Sequence, residues 1–224
     1  LSMIAPSQTS QYAPTPRTQV RRRPERASYD RQLVHSIIDE TIVCHVSFIY
    51  EDQPCIIPTT ILRIDEDLYL HGSPTNRMLC VLAQGVPAAI AVTHVDAVVA
   101  GRSGFGCSVD YRSAIIYSSG QLVEGPHKAE IVDRVIQSVV PGHRVRAPKQ
   151  KELDATMVLR FPIVEVSAKV RDLGVRDYEE DLGLDLWAGT IPLRVVAGAP
   201  VNAPDLRSGI RTPDYALNYQ RGGG

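Results

Sequence analysis

The chain has 224 residues, 44% of them hydrophobic and 22% charged, which is enough apolar material for one large core and excludes disorder over most of its length. The formal net charge of −1 leaves no field of one sign to draw nucleic acid or an anionic membrane. No apolar run approaches the about 20 residues that cross a bilayer, and no signal-peptide order opens the chain, so the expected location is the cytoplasm.

Leu1-Ser2 ahead of Met3 reads as a cloning remnant. Residues 1–27 are rich in Ser, Thr, Gln and Pro and end in the run Arg21-Arg22-Arg23-Pro24-Glu25-Arg26. With so little to bury, they are expected to form a disordered arm whose basic run sits in solvent or touches a phosphate. Order begins near Ser28, where Tyr29, Leu33, Val34, Ile37 and Ile38 fall at helical spacing. Thr41–Ile49 and Pro54–Ile64 are β-branched runs joined by Glu51-Asp52-Gln53, which predicts a hairpin. Asp65-Glu66-Asp67 turns the chain into a third strand, Leu68–His71.

Gly72-Ser73-Pro74-Thr75-Asn76-Arg77 then leads into an apolar helix that stops at Gly85. Ser73 is suited to the N-cap, Pro74 to the first helical position and Gly85 to the left-handed C-terminal position. A helix start preceded by a glycine offers free backbone N–H groups to an anion, and Arg77 adds a cation there. The same residues also make an ordinary capped helix with Arg77 in solvent, and both readings stay open. Pro58-Thr59-Thr60 interrupts an apolar strand and puts one threonine on each face, one of which can bond a ligand. Tyr111-Arg112-Ser113 opens a strand beside a loop, as a ligand contact or a strand-end salt bridge.

Strands are predicted at Val86–His94 and Ala97–Ala100, then a mobile Gly/Ser loop from Gly101 to Asp110, a strand Tyr111–Tyr117 and a short one at Gln121–Glu124. A helix spans about Pro126–Val140 on the face of Ile131, Val132, Val135, Ile136 and Val139. His143–Glu152 is expected as a surface loop and Thr156–Arg171 as one long final strand. Beyond Asp172, glycines and prolines around Trp187 predict irregular structure. Turn-linked strands with few helices between them fit an antiparallel, mainly β barrel and argue against a doubly wound parallel sheet. The cysteines, Cys44, Cys55, Cys80 and Cys107, show no metal-binding spacing and are expected reduced and mostly buried. No GxSxG elbow supports a hydrolase, and no metal site is expected.

Together these segments resemble the flavin-binding split-barrel family that includes pyridoxamine-phosphate oxidase, and within it the branch of 5-nitroimidazole-resistance-type proteins. The resemblance rests on Tyr29-Asp30, Ile57-Pro58-Thr59-Thr60, Leu68-Tyr69-Leu70-His71-Gly72-Ser73 with Asn76-Arg77-Met78, Asp110-Tyr111-Arg112-Ser113 with Gly120, and Trp187-Ala188-Gly189 with Ile191-Pro192-Leu193. It runs from about Ser28 to Val195, and it implies a domain over 28–196 followed by a tail over 197–224. The implied fold is a six-stranded antiparallel split barrel forming a homodimer with two FMN sites at its interface. Ser73, Asn76 and Arg77 are implied to hold the FMN phosphate with Tyr111, Arg112 or Ser113, beside Gly72 and Met78. Pro58, Thr59 and Thr60 are implied to line the flavin ring, His71 to act near it as the catalytic group, and Trp187 to close the pocket. Pyridoxamine-phosphate oxidase itself grips its substrate through a C-terminal Arg-x-His pattern, but here Arg194 is followed by Val195-Val196, so that substrate is not expected. The implied activity is an FMN-dependent oxidoreductase that reduces a small nitroaromatic or quinone, with NAD(P)H as a donor. A non-catalytic flavin module and a haem-binding barrel with a histidine ligand are the alternatives.

Overall fold

The computed structural model describes residues 10–220, and the expectations for the first nine lie outside them. In chain order its regular elements are β1 (Ala27–Ser28), α1 (Arg31–Asp39), β2 (Val43–Tyr50), β3 (Gln53–Thr60), β4 (Leu62–Ile64), β5 (Asp67–Gly72), α2 (Arg77–Leu82), β6 (Pro87–Ala100), β7 (Ser108–Ser119), β8 (Gln121–Leu122), α3 (Pro126–Val139), α4 (Gln150–Asp154), β9 (Met157–Pro162), β10 (Glu165–Arg171), β11 (Gly189–Pro192) and α5 (Asp214–Leu217). The fold is mainly β, as the turn-linked runs predict. The chain divides into two compact units. No helix among the described residues is long and apolar enough to cross a membrane.

The first unit comprises residues up to Ile38, Ala89–Ser118 and Ile163–Leu193. Its sheet runs β1-β10-β7-β6, with β11 also paired to β6. In β10 against β7 the register sets Glu165 opposite Tyr117 and Arg171 opposite Tyr111. Asp30 caps α1 by accepting from the Leu33 N–H at 2.8 Å, and the helix buries Val34, Ile37 and Ile38.

Three expectations change in this unit. Residues 10–27 are ordered, not a free arm. Tyr12 is 4% exposed and hydrogen-bonds His35 at 2.8 Å, Gln11 bridges Asp30, and Thr15 donates to Glu165 at 2.7 Å. The segment is held by polar contacts to structured neighbours, which a hydrophobic count cannot register. The break expected between two strands at Val95-Asp96 is absent from the 14-residue β6, because its polar residues find partners: His94 meets the Ile37 carbonyl at 2.8 Å and Arg112 reaches Asp96. Finally, the Gly101–Gly106 loop is pinned instead of mobile. Arg102 donates to the buried Asp177 through both its backbone N–H and its guanidinium, each at 2.9 Å. A Cβ at Gly101 or Gly106 would lie 2.6 or 2.2 Å from the Asp177 carboxylate, so only glycine permits this wrap.

The second unit comprises Asp39–Ala88, Ser119–Pro162 and the chain from Arg194. β2 and β3 form the predicted hairpin with His45 opposite Pro58, but the second run, expected to continue to Ile64, ends at Thr60 and resumes as β4 in another sheet. Glu51 and Asp52 both have positive φ, 50° and 58°, which is the twist a two-residue hairpin turn requires. Among the described residues β3 ends its sheet, with β2 as its sole strand neighbour. One face of the hairpin buries Cys44, Val46 and Phe48, while Val43, Ile49 and Ile56 stay 43–65% exposed on the other. A separate sheet runs β4-β5-β9-β8. Leu62, Tyr69, Val123, Ile131, Val135 and Val158 form one apolar cluster beneath α3. The single long strand expected over Thr156–Arg171 is instead two strands, β9 and β10, in different sheets. Pro162 has no N–H to extend the ladder, and it closes β9. The expected loop over His143–Glu152 contains the start of α4. Of the four free cysteines only Cys44 is buried, which raises its thiol pKa to about 12. The stretch expected to be irregular beyond Asp172 holds the strand β11 and, among its described residues, the short α5, and Tyr219 donates to the Val139 carbonyl at 3.0 Å.

Candidate functional site

β5 carries His71 and Gly72 out of the second unit's core and into the turn Ser73–Asn76. Leu68 and Leu70 face inward and are fully buried, which puts Tyr69 and His71 on the opposite side of the strand. His71 is half-buried, pairs with Val158 in the β5–β9 ladder, and its Nδ1 is buried without any hydrogen-bond partner. Burial alone lowers its pKa, so the imidazole is neutral near pH 7. An orphaned ring nitrogen on a neutral histidine is a ready contact for a bound group.

The cap differs from expectation. α2 begins at Arg77, and Asn76, not Ser73, caps it by accepting from the Leu79 N–H at 3.2 Å. Both residue types cap well, and Pro74 suits a turn as readily as a first helical position, so the sequence could not separate them. Ser73 is thereby free for other work: its Oγ lies 2.8 Å from the Thr75 hydroxyl and accepts from the Thr75 N–H at 3.2 Å. Ser73, Pro74, Thr75, Asn76 and Arg77 are all exposed. Arg77 has no carboxylate partner among the described residues, and its guanidinium lies 5.3 Å from the centre of the Tyr50 ring. Tyr50 was not marked by the sequence reading; its place at the hairpin end was the available signal. Met78 is 1% exposed and belongs to the core, as do Leu79 and Leu82. Pro58 is exposed on β3, with Thr59 and Thr60 half-buried.

The remaining predicted residues fall in the first unit. Arg112 is committed to Asp96 through two hydrogen bonds of 2.8 and 2.9 Å, a bidentate pair that matches the salt-bridge alternative for this residue. Ser113 donates to the Lys169 carbonyl at 3.4 Å. Tyr111 follows Asp110, which is 5% exposed and ion-paired with the equally buried Arg171. Trp187 is 68% exposed, and its ring approaches Gly189 so closely that a Cβ there would stand 2.8 Å from it. The second unit thus brings together His71, Gly72, Ser73, Asn76 and Arg77 on one turn and Pro58, Thr59 and Thr60 on one strand. The first unit brings together Tyr111, Arg112 and Ser113.

The family profile of pyridoxamine 5'-phosphate oxidase matches residues 30–170. The flavocytochrome Anf3 from Azotobacter vinelandii is 31% identical, with a TM-score of 0.87 over 93% of this chain and 99% of that one. An FAD and haem binding protein from Mycobacterium smegmatis is 32% identical, with a TM-score of 0.82 over 85% of this chain and 95% of that one. A Bacteroides thetaiotaomicron protein described with 5-nitroimidazole antibiotic resistance is 19% identical with a TM-score of 0.56, over 64% of this chain and 86% of that one, and shares the fold. No curated protein matches the chain.

Proposed function

Because the chain belongs to the pyridoxamine 5'-phosphate oxidase family, with its split-barrel fold, we propose that it binds a flavin and uses it to pass electrons to or from a small molecule. The observation that carries this reading is the His71–Arg77 segment. It offers a buried, unpartnered His71 Nδ1, two exposed hydroxyls on Ser73 and Thr75, and a guanidinium without a carboxylate. That donor set fits a flavin and its phosphate.

The residues that would hold the group are Ser73, Asn76 and Arg77 at the phosphate and Pro58, Thr59, Thr60 and Gly72 along the ring. The family resemblance separately assigns Tyr111, Arg112, Ser113 and Trp187 of the first unit, where Arg112 is engaged by Asp96. When bound, a flavin supplies one- and two-electron chemistry, and the protein supplies orientation and exclusion of water. His71, neutral near pH 7, can donate or accept one hydrogen bond at Nδ1 without adding charge. Asn76 holds the turn rigid by capping α2, and Arg77 is left to meet an anion.

FAD is the first assignment, since the name of one relative about a third identical to this chain carries FAD and haem and the other is a flavocytochrome. FMN is the second, favoured by the turn after Gly72, whose lone guanidinium on Arg77 suits one phosphate. Those same names support haem as a further group, and the orphaned nitrogen of His71 makes it the first residue that would hold its iron. We further propose a homodimer, in which the exposed Val43, Ile49 and Ile56 face of the hairpin meets a second copy. A cytoplasmic location and a nitroaromatic or quinone substrate reduced at the expense of NAD(P)H belong to the same reading.

The test is the absorption spectrum of protein expressed with ample riboflavin and haem precursor, followed by mass spectrometry of whatever denaturation releases. Flavin bands are expected, and the released mass separates FAD from FMN. A colourless protein would overturn the proposal. Arg77→Ala should weaken FMN binding about tenfold or more while sparing riboflavin, because a charge-assisted bond to phosphate contributes about 1.5–3 kcal/mol. Equal loss for both ligands would remove Arg77 from the phosphate site.

A further inference from the structure

Two stretches that stand apart in the sequence, the basic run of residues 21–26 and the glycine loop of residues 101–106, border one cavity of about 780 Å³ in the first unit. Its wall carries Arg22, Arg23, Arg26, Lys169, Arg171 and Arg176, against Glu25 as its one carboxylate. For a chain of net charge −1, that is a strong local concentration of positive charge. Arg171 is already neutralised by Asp110, and Arg23 lies 4.0 Å from Glu25. Arg22, Arg26, Arg176 and Lys169 have no carboxylate partner among the described residues, and Lys169 donates to the Arg22 carbonyl at 3.2 Å. The Nε of Arg26 is buried with no hydrogen-bond partner at all. A buried guanidinium N–H left unsatisfied costs free energy that a bound acceptor removes.

The cavity is also built to a shape. Arg23 holds a left-handed backbone, φ 58°, at the turn that brings Arg26 round, a conformation unfavourable for a residue with a Cβ. The glycine loop, wrapped on Asp177, presents Phe105 at the rim with 89% of its surface exposed, and Tyr178 is 57% exposed on the same wall. An exposed phenyl ring on a pinned loop is a stacking platform, not core. The volume lies within the usual range for small ligands, and its concavity favours a compact anion over the flat face of a protein.

We propose that this cavity binds the diphosphate of a nucleotide, with the base stacked on Phe105 or Tyr178 and the charge met by Arg26, Arg22, Arg176 and Lys169. The inference stands on the first unit alone and does not depend on the flavin reading. Such a diphosphate has two sources, the adenylate half of an FAD or a separate dinucleotide that delivers electrons, and both carry the same chemistry.

The test is isothermal titration of the purified protein, as isolated, with ADP, adenosine and inorganic pyrophosphate. ADP should bind at least about tenfold tighter than adenosine, and the double substitution Arg26→Ala/Arg176→Ala should cost about tenfold or more. Phe105→Ala should weaken ADP several-fold and leave pyrophosphate unchanged, since only the base stacks. Phe105 is exposed enough that this variant separates lost binding from lost folding. Arg207→Ala, on an exposed arginine of the other unit, should change nothing. Repeating the titration on FAD-loaded and FMN-loaded protein assigns the source: competition by FAD alone makes the site the flavin's own, and undiminished ADP binding makes it a second nucleotide's. The proposal is overturned if adenosine binds as well as ADP, if the double variant binds ADP like the wild type, or if only a single-stranded RNA oligonucleotide binds.

Discussion

Replacing Asp110 by alanine should destabilise the protein by about 3–5 kcal/mol, the usual cost of removing one partner from a buried ion pair. The structure explains why the full range applies. Asp110 and Arg171 are each 5% exposed and bonded to one another, so the variant leaves a largely buried guanidinium without its counter-charge. The carboxylate also accepts from the Leu173 and Gly174 N–H groups at 3.3 and 3.2 Å, and both would be stranded. Arg171 loses part of its own anchoring too, since it donates to the Gly174 carbonyl at 3.0 Å from the position that the pair fixes. For a chain of this size each kcal/mol shifts the melting temperature by about 2–4 °C, so a fall of about 6–20 °C is expected by calorimetry. Arg171→Met alone should cost several kcal/mol by the same logic, whereas Asp110→Leu combined with Arg171→Met should be less destabilised than the sum by at least about 2 kcal/mol. A loss below about 1 kcal/mol for Asp110→Ala, or strictly additive single effects, would refute the account of this pair as a coupled, desolvated unit.

Gly120→Ala should destabilise by about 1–3 kcal/mol in urea denaturation, because its Cβ would stand 2.8 Å from the Leu82 carbonyl oxygen and 3.1 Å from Phe161; an unchanged midpoint would mean that the backbone there yields freely. His71 is kept neutral by burial, so its folded pKa lies below the unfolded value of about 6.5, and the unfolded chain takes up its proton first as pH falls. The stability tied to it is therefore complete above about pH 6.5 and declines as pH drops from there towards the folded pKa. His71→Asn should flatten that part of the pH–stability curve, and an identical slope would deny His71 the role. Emission from Trp187, the chain's single tryptophan, should be quenched when flavin binds and recover when flavin is removed; unchanged fluorescence would place the ring away from the cofactor.

Local rules carried the sequence reading a long way. The β2–β3 hairpin follows from two β-branched runs flanking Glu51-Asp52, and α3 follows from Ile131 and Val135 one turn apart after Pro126. What stayed hidden depended on partners distant in sequence. Asp96 looked like a strand breaker until Arg112, 16 residues on, satisfied it. The Asp110–Arg171 pair spans 61 positions, and no local spacing announces it. Composition predicts an arm for the early segment because it counts apolar burial, while Thr15, Tyr12 and Gln11 are held by hydrogen bonds. The site segment was legible as a segment, but its cap was not: Ser73 and Asn76 satisfy the same rule three residues apart, and only the backbone decides between them.

The two prolines of β3 have a consequence for how the protein avoids its own copies. Pro54 and Pro58 lie four positions apart on a strand with a neighbour on one side only, so both missing N–H groups fall along the same edge. An incoming strand would find that row without two of its donors, and ladder growth from chain to chain stalls there. Open-ended stacking of copies, which has no natural stopping point, is thereby disfavoured along this edge.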